Sequence, residues 1–475
     1  MAKKRAKKRN RTPAGPTLAW IHLGCPKNLI DSERMLAEAG LEGFVITGEP
    51  EGADVAVVNT CSFIDIAREE ATAIIGELLS AKSAGRLGAV VVAGCLAQRY
   101  GARLLKELPG IDAVVGLGAR GRIAEVCRRV LTGDAEPIVD VPPVGEMPAD
   151  GTRVRLTPRH YAYLRISEGC DNRCSYCTIP DIRGPFRSKG PEEIIAEAEE
   201  LVADGAREII LIGQDTTSYG RDIGGDWTLA RLVARLEEVP GLVWLRLLYT
   251  HPASFGEDLI EAFAAGGRFV PYVDLPLQHV SERILGSMGR RVDRAGIERL
   301  IEGLRRRVEG LALRTSFIVG YPGETEAEFA ELLEFVRREE FDRLGSFAYS
   351  AEEGTRAAAL EGQLDAETKA RRRDELMRLA AGISRRKNEA LVGRQLVVVI
   401  DGPGAGPKGQ AVARHAGLAP EIDGVVFVKG SEAEAGEFLT VRVAAADDYD
   451  IEAEAVDEPC GAQGAPAGKT VRGKS

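Results

Sequence analysis

Glu168–Thr178 reads EGCDNRCSYCT, and the spacing of its cysteines organises the rest of the chain. Cys170, Cys174 and Cys177 stand as Cys-x-x-x-Cys-x-x-Cys directly after the strand-like run Tyr161–Ser167 (YAYLRIS). Three thiolates this close can hold three irons of a cubane [4Fe-4S] cluster and leave the fourth iron open. A structural zinc or a closed electron-transfer cluster would need a fourth ligand. None stands near: His160 precedes the run, and the next cysteine is Cys460. A zinc loop or a set of reduced structural thiols explains so compact a triple less well.

Towards the amino terminus, residues 17–132 repeat one pattern, in which an apolar strand runs into a small loop with a cysteine and then into a helix. Thr17–Leu23 leads to Gly24-Cys25-Pro26, Asp54–Val58 to Asn59-Thr60-Cys61, and Ala89–Ala93 to Gly94-Cys95. Short continuous Val/Ile runs fit a parallel sheet covered on both faces. Ligands of such sheets collect beyond the carboxyl ends of the strands, so Cys25, Cys61 and Cys95 are expected to converge as a second three-thiolate site. A single cysteine there would read as a small buried hydrophobe; three at equivalent positions do not. Cys127, within the helix-like RIAEVCRRV, reads as packing.

At 475 residues with a formal net charge of −10, the chain suits several soluble domains. No apolar run reaches the ~18–20 residues of a membrane span. The start, MAKKRAKKRNR, lacks the apolar core of a secretory signal, and a cytoplasmic location is expected. Residues 1–16 read as a basic disordered tail, with weak adhesion to RNA as the alternative. Eight cysteines in a large chain of this style point to metal ligation rather than disulfides.

Residues 133–157, rich in Pro, Gly and acids, read as a linker. From 158 to 389 a second alternating series begins, with strands expected at 161–167, 208–212, 243–248, 272–275, 314–319 and 344–349. Six β/α units make an open, partial (β/α)6 barrel, wide enough on one side to admit a macromolecule. The open iron at Cys170/Cys174/Cys177 can chelate the amino and carboxylate groups of S-adenosylmethionine (SAM). Tyr176 is placed to lie against its adenine. Loops at the carboxyl ends of the strands supply further candidate SAM contacts: Gly213 and Gln214 beside Asp215, Gln278 beside His279, and Gly320 and Glu324. Glu324 reads equally as a helix cap, and His279 as a satisfied structural histidine.

Residues 390–457 carry five short strands, as in a small antiparallel barrel of the oligonucleotide-binding kind. Between 391 and 457 twelve acids face five bases, a net charge of −7. A nucleic-acid reader needs a positive surface, so a basic protein partner or a merely solvated face is expected instead. Residues 458–475, with Cys460, read as a disordered tail.

Two cysteine triples, a partial barrel and a terminal small barrel together resemble the radical SAM methylthiotransferases. The segments that carry the likeness are LGCPKNLIDSERML (23–36), VVNTCSFID (57–65), LTPRHYAYLRISEGC (156–170), LPLQHVSERIL (275–285), RTSFIVGYPGETE (314–326) and APEIDGVVFV (419–428). They favour the branch that modifies a ribosomal protein over the branch that modifies tRNA. The resemblance implies an α/β fold with an N-terminal parallel-sheet cluster domain, a radical SAM barrel and a TRAM domain. It implies two [4Fe-4S] clusters and SAM as cofactors. The implied reaction adds a methylthio group to the β-carbon of an aspartate of small-subunit ribosomal protein S-twelve. A 5′-deoxyadenosyl radical formed at Cys170/Cys174/Cys177 would abstract hydrogen, and the Cys25/Cys61/Cys95 cluster would carry the sulfur. A reductant such as flavodoxin or ferredoxin and a sulfur donor are implied partners, and no membrane is. The alternatives are a tRNA methylthiotransferase acting on a modified adenosine beside the anticodon, and a two-cluster electron carrier. The basic tail and the Gly402–Gly409 insert depart from the family pattern.

Overall fold

The computed structural model describes residues 15–62, 65–133, 136–148 and 150–456. The expected terminal tails, residues 15 and 16 apart, and Cys460 with them, lie outside the described residues. The chain forms two compact units, one ending at Val154 and the other beginning at Arg155.

In the first unit β1 (Thr17–His22), β2 (Val45–Thr47), β3 (Val55–Thr60), β4 (Ala89–Gly94), β5 (Ala113–Val115) and β6 (Ile138–Asp140) form one sheet. Its order is β2-β1-β3-β4-β5-β6, and every pairing is parallel. The cysteine-bearing strands β1, β3 and β4 are therefore neighbours. β3 and β4 are buried along their whole length, which explains the unbroken VAVVNT and AVVVAG. Val57 and Val91 feed the core on one face of the sheet, and Val58 and Val92 the core on the other. Cys127 is fully buried in the first of these cores, and burial pushes its thiol up to about 12, as expected of a packing residue. β6 lies inside the segment expected as a linker. Three residues among prolines and acids are too short a run to announce a strand, and only pairing with β5 defines it.

The second unit begins with β7 (Tyr161–Arg165), β8 (Ser167–Glu168) and β9 (Arg187–Ser188) and continues through β10 (Glu208–Ile212), β11 (Trp244–Leu247), β12 (Phe269–Asp274), β13 (Ala312–Val319) and β14 (Arg343–Ala348). Six of these make the parallel sheet β14-β13-β12-β11-β10-β7, while β8 and β9 form a small hairpin pair beside it. The strands do not close, so the barrel is partial. Strand alternation divides β7: Ala162 and Leu164 join the helix-facing core, while Tyr161, Tyr163 and Arg165 occupy the opposite face.

A long helix (Ala366–Glu389) leads to β15 (Gln395–Gly402), β16 (Ala411–His415), β17 (Val426–Lys429), β18 (Phe438–Ala446) and β19 (Ile451–Ala455). These close as β15-β16-β17-β19-β18, antiparallel except for the β17–β19 pair. The barrel caps the amino ends of the sheet strands. Arg414 reaches Glu208, the first residue of β10, at 2.8 Å and binds Asp401 at 2.7 and 3.0 Å. Glu208 also accepts from Arg246 at 2.7 Å, and His160 meets Asp401 at 2.7 Å. Tyr161 donates to Glu421 at 2.9 Å and Tyr272 to Asp423 at 2.7 Å, and Trp244 packs edge-on against Phe438. The acidic face expected to greet a partner is thus partly spent within the chain. Asp401, Glu421 and Asp423 hold the barrel to the sheet, and Asp447 and Asp448 pair with Arg385 of the long helix.

Glu208 and Arg414 are fully buried, so each depends on the other's charge. Burial would raise the Glu208 carboxyl, but Arg414 and Arg246 outweigh it and hold the group below its ordinary range. Replacing Arg414 by Met is expected to destabilise the second unit by about 3–5 kcal/mol in denaturant titration. A loss under about 1 kcal/mol would show the network to be unimportant. A depressed carboxylate stabilises above its unfolded value, near 4.3, and that contribution fades as pH falls through the folded value. Stability should therefore drop below about pH 4, and less steeply in Glu208→Gln.

Candidate metal and cofactor centres

In the first unit each cysteine stands just past a strand, at the start of a turn or helix. Gly24 precedes Cys25 with φ +107°, and a Cβ on it would lie 2.7 Å from the Cys61 Cβ. Gly94 precedes Cys95 with φ +92°, and a Cβ there would meet the Asn59 Oδ1 at 2.2 Å. Only glycine lets these loops approach so closely. Asn28 knits them together: its amide donates to Leu23 O at 3.0 Å and to Thr60 O at 2.7 Å, and its oxygen lies 3.5 Å from the Cys95 sulfur. Asn59 donates in turn to Asn28 O and to Ser32 Oγ, both at 2.8 Å. His22 closes the network on Ser32 at 3.0 Å, and burial lowers its pKa to about 4, so it stays neutral. A Cβ built on Gly24, the residue before Cys25, would lie 3.5 Å from the Cys61 sulfur, and Asn28 links the Cys95 sulfur to the same loops. Asn28 and Asn59 were not singled out in the sequence, although LGCPKN and VVNTC carry them.

In the second unit the CxxxCxxC loop leaves the carboxyl end of β7 through β8. Glu168 anchors its start, taking 2.6 Å from Arg165, 3.1 Å from Arg183 and 2.8 Å from the Gln214 amide. All three charged residues are buried. Gly169, at φ +77°, has room for no Cβ, which would sit 2.0 Å from Pro185 O. Cys170 N donates to Gly184 O, Cys177 N to Cys174 O, and Ile179 N to the Cys177 sulfur at 3.5 Å. Ser175 N donates to Met288 O and Ala357 N to Ser175 O, so neighbouring elements hold the loop from outside. Burial pushes the Cys177 thiol up to about 12 and Cys170 to about 11, so iron binding there must displace protons.

The other expected contacts fall on the surrounding loops. Tyr176 packs against the cluster of Ile284, Met288, Tyr321, Tyr349 and Ala357, and burial raises its hydroxyl well above the usual range. Gly213 lies against Ser167, where a Cβ would meet the hydroxyl at 2.3 Å. Gln214 commits its amide to Glu168 but keeps a buried, unpartnered Oε1. Asp215 accepts from Asn172 of the cysteine loop at 2.7 Å and from Thr217 and Ser218. Gln278, at φ +72°, is stitched to β13 by bonds to Ser316 O and from Ile318 N, both 2.8 Å. Glu324 accepts from Gly320 N, and from Tyr321 N at 3.1 Å, and lies 3.3 Å from Arg372. His279 Nε2 and Glu324 Oε1 face each other at 3.7 Å, both buried and without a hydrogen bond.

Both triples offer a soft all-thiol donor set, with a buried unpartnered oxygen on a neighbouring strand end or loop, Asn59 Oδ1 in the first unit and Gln214 Oε1 in the second, which fits an iron–sulfur cluster. Among the described residues no three His, Cys, Asp or Glu side chains gather as a single-ion site. A cubane has no such need, since each thiolate binds a different corner iron. If these loops build the sites, Gly24→Ala should remove about half of the reconstituted iron and Gly169→Ala the other half. Iron assay with circular dichroism checks this; full iron in either variant would sink the loop's assigned role.

Residues 164–336 match the Radical SAM superfamily model, 17–116 the uncharacterized protein family UPF0004, and 392–456 the TRAM domain. The ribosomal protein uS12 methylthiotransferase RimO of Pelotomaculum thermopropionicum is 46% identical over 93% of this chain and all of its own. RimO of Sorangium cellulosum is 44% identical over 94% of this chain and 92% of its own. The radical SAM methyltransferase TsrM of Kitasatospora setae, solved with cobalamin and a [4Fe-4S] cluster, shares the fold at TM-score 0.50 and 16% identity. That match covers 70% of this chain and 74% of the other. No described helix is long and apolar enough to cross a membrane. With two thiol triples at strand ends and this likeness along almost its whole length, the chain belongs to the RimO family of radical SAM methylthiotransferases.

Proposed function

We propose that the protein adds a methylthio group to the β-carbon of an aspartate in ribosomal protein uS12. The observation that carries the reading is that the chain, with three strand-end cysteines in each unit, aligns with RimO enzymes nearly end to end. The β C–H beside a carboxylate is poorly acidic, so a side-chain base faces a large barrier and radical chemistry is the open route. When bound, one cluster and SAM supply that radical chemistry and the second cluster supplies the sulfur.

The chain's own residues position and enclose. Cys170, Cys174 and Cys177 hold the SAM-side cluster, on a loop fixed by Glu168 and by Asn172–Asp215. Cys25, Cys61 and Cys95 hold the other, on loops fixed by Asn28 and Asn59. Tyr176, Gly213, Gln214, Gln278 and Gly320 are the proposed SAM contacts. Glu324, its carboxylate taken by loop amides and Arg372, acts by shaping the Gly320 turn. The positioning of reactants is the protein's main lever. A one-electron reductant such as flavodoxin or ferredoxin and a sulfur donor complete the system.

Docking of substrate draws on exposed acids of the terminal barrel, among them Glu432, Glu434, Glu437 and Glu454. A negative surface suits a basic ribosomal protein and repels RNA phosphates. Reversing Glu421 or Asp423 would instead unseat the barrel from the sheet, since both are bound to its tyrosines.

Mass spectrometry of uS12 and tRNA from cells with and without the gene tests the reading. A methylthio group on uS12 that vanishes with the gene is expected; one on tRNA alone would overturn it. The variant with Cys25, Cys61 and Cys95 replaced by Ala is expected to keep forming 5′-deoxyadenosine from SAM and dithionite while failing to modify uS12. Modification by that variant would end the division of labour between the triples.

A further inference from the structure

Guanidinium groups ring the cysteine loop of the second unit. Arg356 donates to Arg173 O at 2.6 Å, and Arg291 to the Asn172 side chain at 3.0 Å. Arg290 alone of these reaches a sulfur: its Nη1 lies 3.9 Å from the Cys174 Sγ, while its Nη2 donates to Pro276 O at 2.7 Å. Its Nε is buried and unpartnered. The backbone aims this side chain deliberately. The helix Glu282–Met288 ends at Gly289 in the left-handed conformation, where a Cβ would stand 3.1 Å from Arg173 O. Arg290 N then bonds back to Leu285 O. Met288 O accepts from Ser175 N at 2.8 Å, so the helix end that leads to Arg290 is tied to the cysteine loop.

Hydrogen bonds to cluster sulfurs and nearby charge set the reduction potentials of iron–sulfur centres, and the effect is strongest where water is excluded. Taking up one electron makes a cluster more negative by one charge. A buried cation donating to one of its thiolates stabilises that reduced state more than the oxidised one. Resting on the cluster reading of Cys170, Cys174 and Cys177, we propose that Arg290 is a tuning residue that raises the midpoint potential of this cluster through the Cys174 sulfur. The sequence presents Arg290 only as one arginine of a GRR triplet after a short helix; the fold turns it onto the thiolate.

The test uses the full chain with Cys25, Cys61 and Cys95 replaced by Ala, so that one cluster titrates, reconstituted anaerobically. Arg290→Met, Arg290→Gln and Arg290→Lys are compared with this parent by mediated dithionite titration, followed by electron paramagnetic resonance before SAM is added. Each titration counts one electron from dithionite into one cluster, with no bond made or broken. The two neutral variants should show midpoints more negative by about 59 mV, a tenfold change in the oxidised-to-reduced ratio for one electron. The lysine variant, which keeps the charge but loses the fork, should fall between. Gln stands in if Met fails to take up iron. Neutral variants with full iron and the parent's midpoint would overturn the inference. An unchanged midpoint with weakened SAM binding would overturn it too and make Arg290 a SAM ligand. A parent without any reducible cluster signal would remove the cluster reading itself, and the inference with it.

Discussion

A cubane cluster held by three thiolates needs three sulfurs brought together from a backbone that can crowd around them, and under the proposed function this requirement falls on both units. In each, the cysteines stand at the same place in the architecture, beyond the carboxyl ends of parallel strands, where ligands of such sheets collect. The two solutions differ in sequence distance. In the first unit the sulfurs come from three separate strand ends, and adjacency in the sheet does the gathering. In the second, one eight-residue stretch, Cys170–Cys177, suffices, and a buried carboxylate between two arginines fixes the point of departure. Glycine serves both, because a Cβ at Gly24, Gly94 or Gly169 would collide with the partner loop.

Much of this was legible in the chain. The Val/Ile runs announced the parallel strands, and Glu208–Ile212 was bounded to the residue. Cysteine spacing set the expectation for the second triple, and equivalent strand-end positions set it for the first. What resisted reading was everything decided by tertiary partners. Ile138–Asp140 is a strand only because β5 lies beside it. Asn28 and Asn59 look like ordinary loop and strand-end polar residues until their amides are seen to tie three loops. Net charge misled in a specific way. The acidity of the terminal barrel was correctly counted, but the count cannot show that Glu421 accepts from Tyr161 or Asp423 from Tyr272.

The polar interior of the second unit follows from that docking. Ordinary barrels fill with aliphatic side chains, whereas here Arg165, Glu208 and Arg246 lie fully buried on the strands. Such groups are tolerable because each finds an opposite charge or carbonyl with good geometry. Arg246, for example, spans Glu208 and Ala416 O, one partner from the sheet and one from the terminal barrel. The balance extends to His160 and Asp401, so one continuous network runs from the residue before β7 into the terminal barrel.

Arg414 therefore matters for anyone recombining these modules. A terminal barrel grafted from a relative onto this sheet would have to bring a cation to the position of Arg414, an acceptor in the place of Ala416 O, and acids matching Tyr161 and Tyr272. Without them the graft would leave Glu208 enclosed with Arg246 as its remaining counter-charge, and the chimera would be weakened in its foundations while its cysteine loops, at the far end of the strands, remained intact. Module boundaries drawn through residues 389–395 thus cut a covalent connection that is easy to rejoin, but not the electrostatic one.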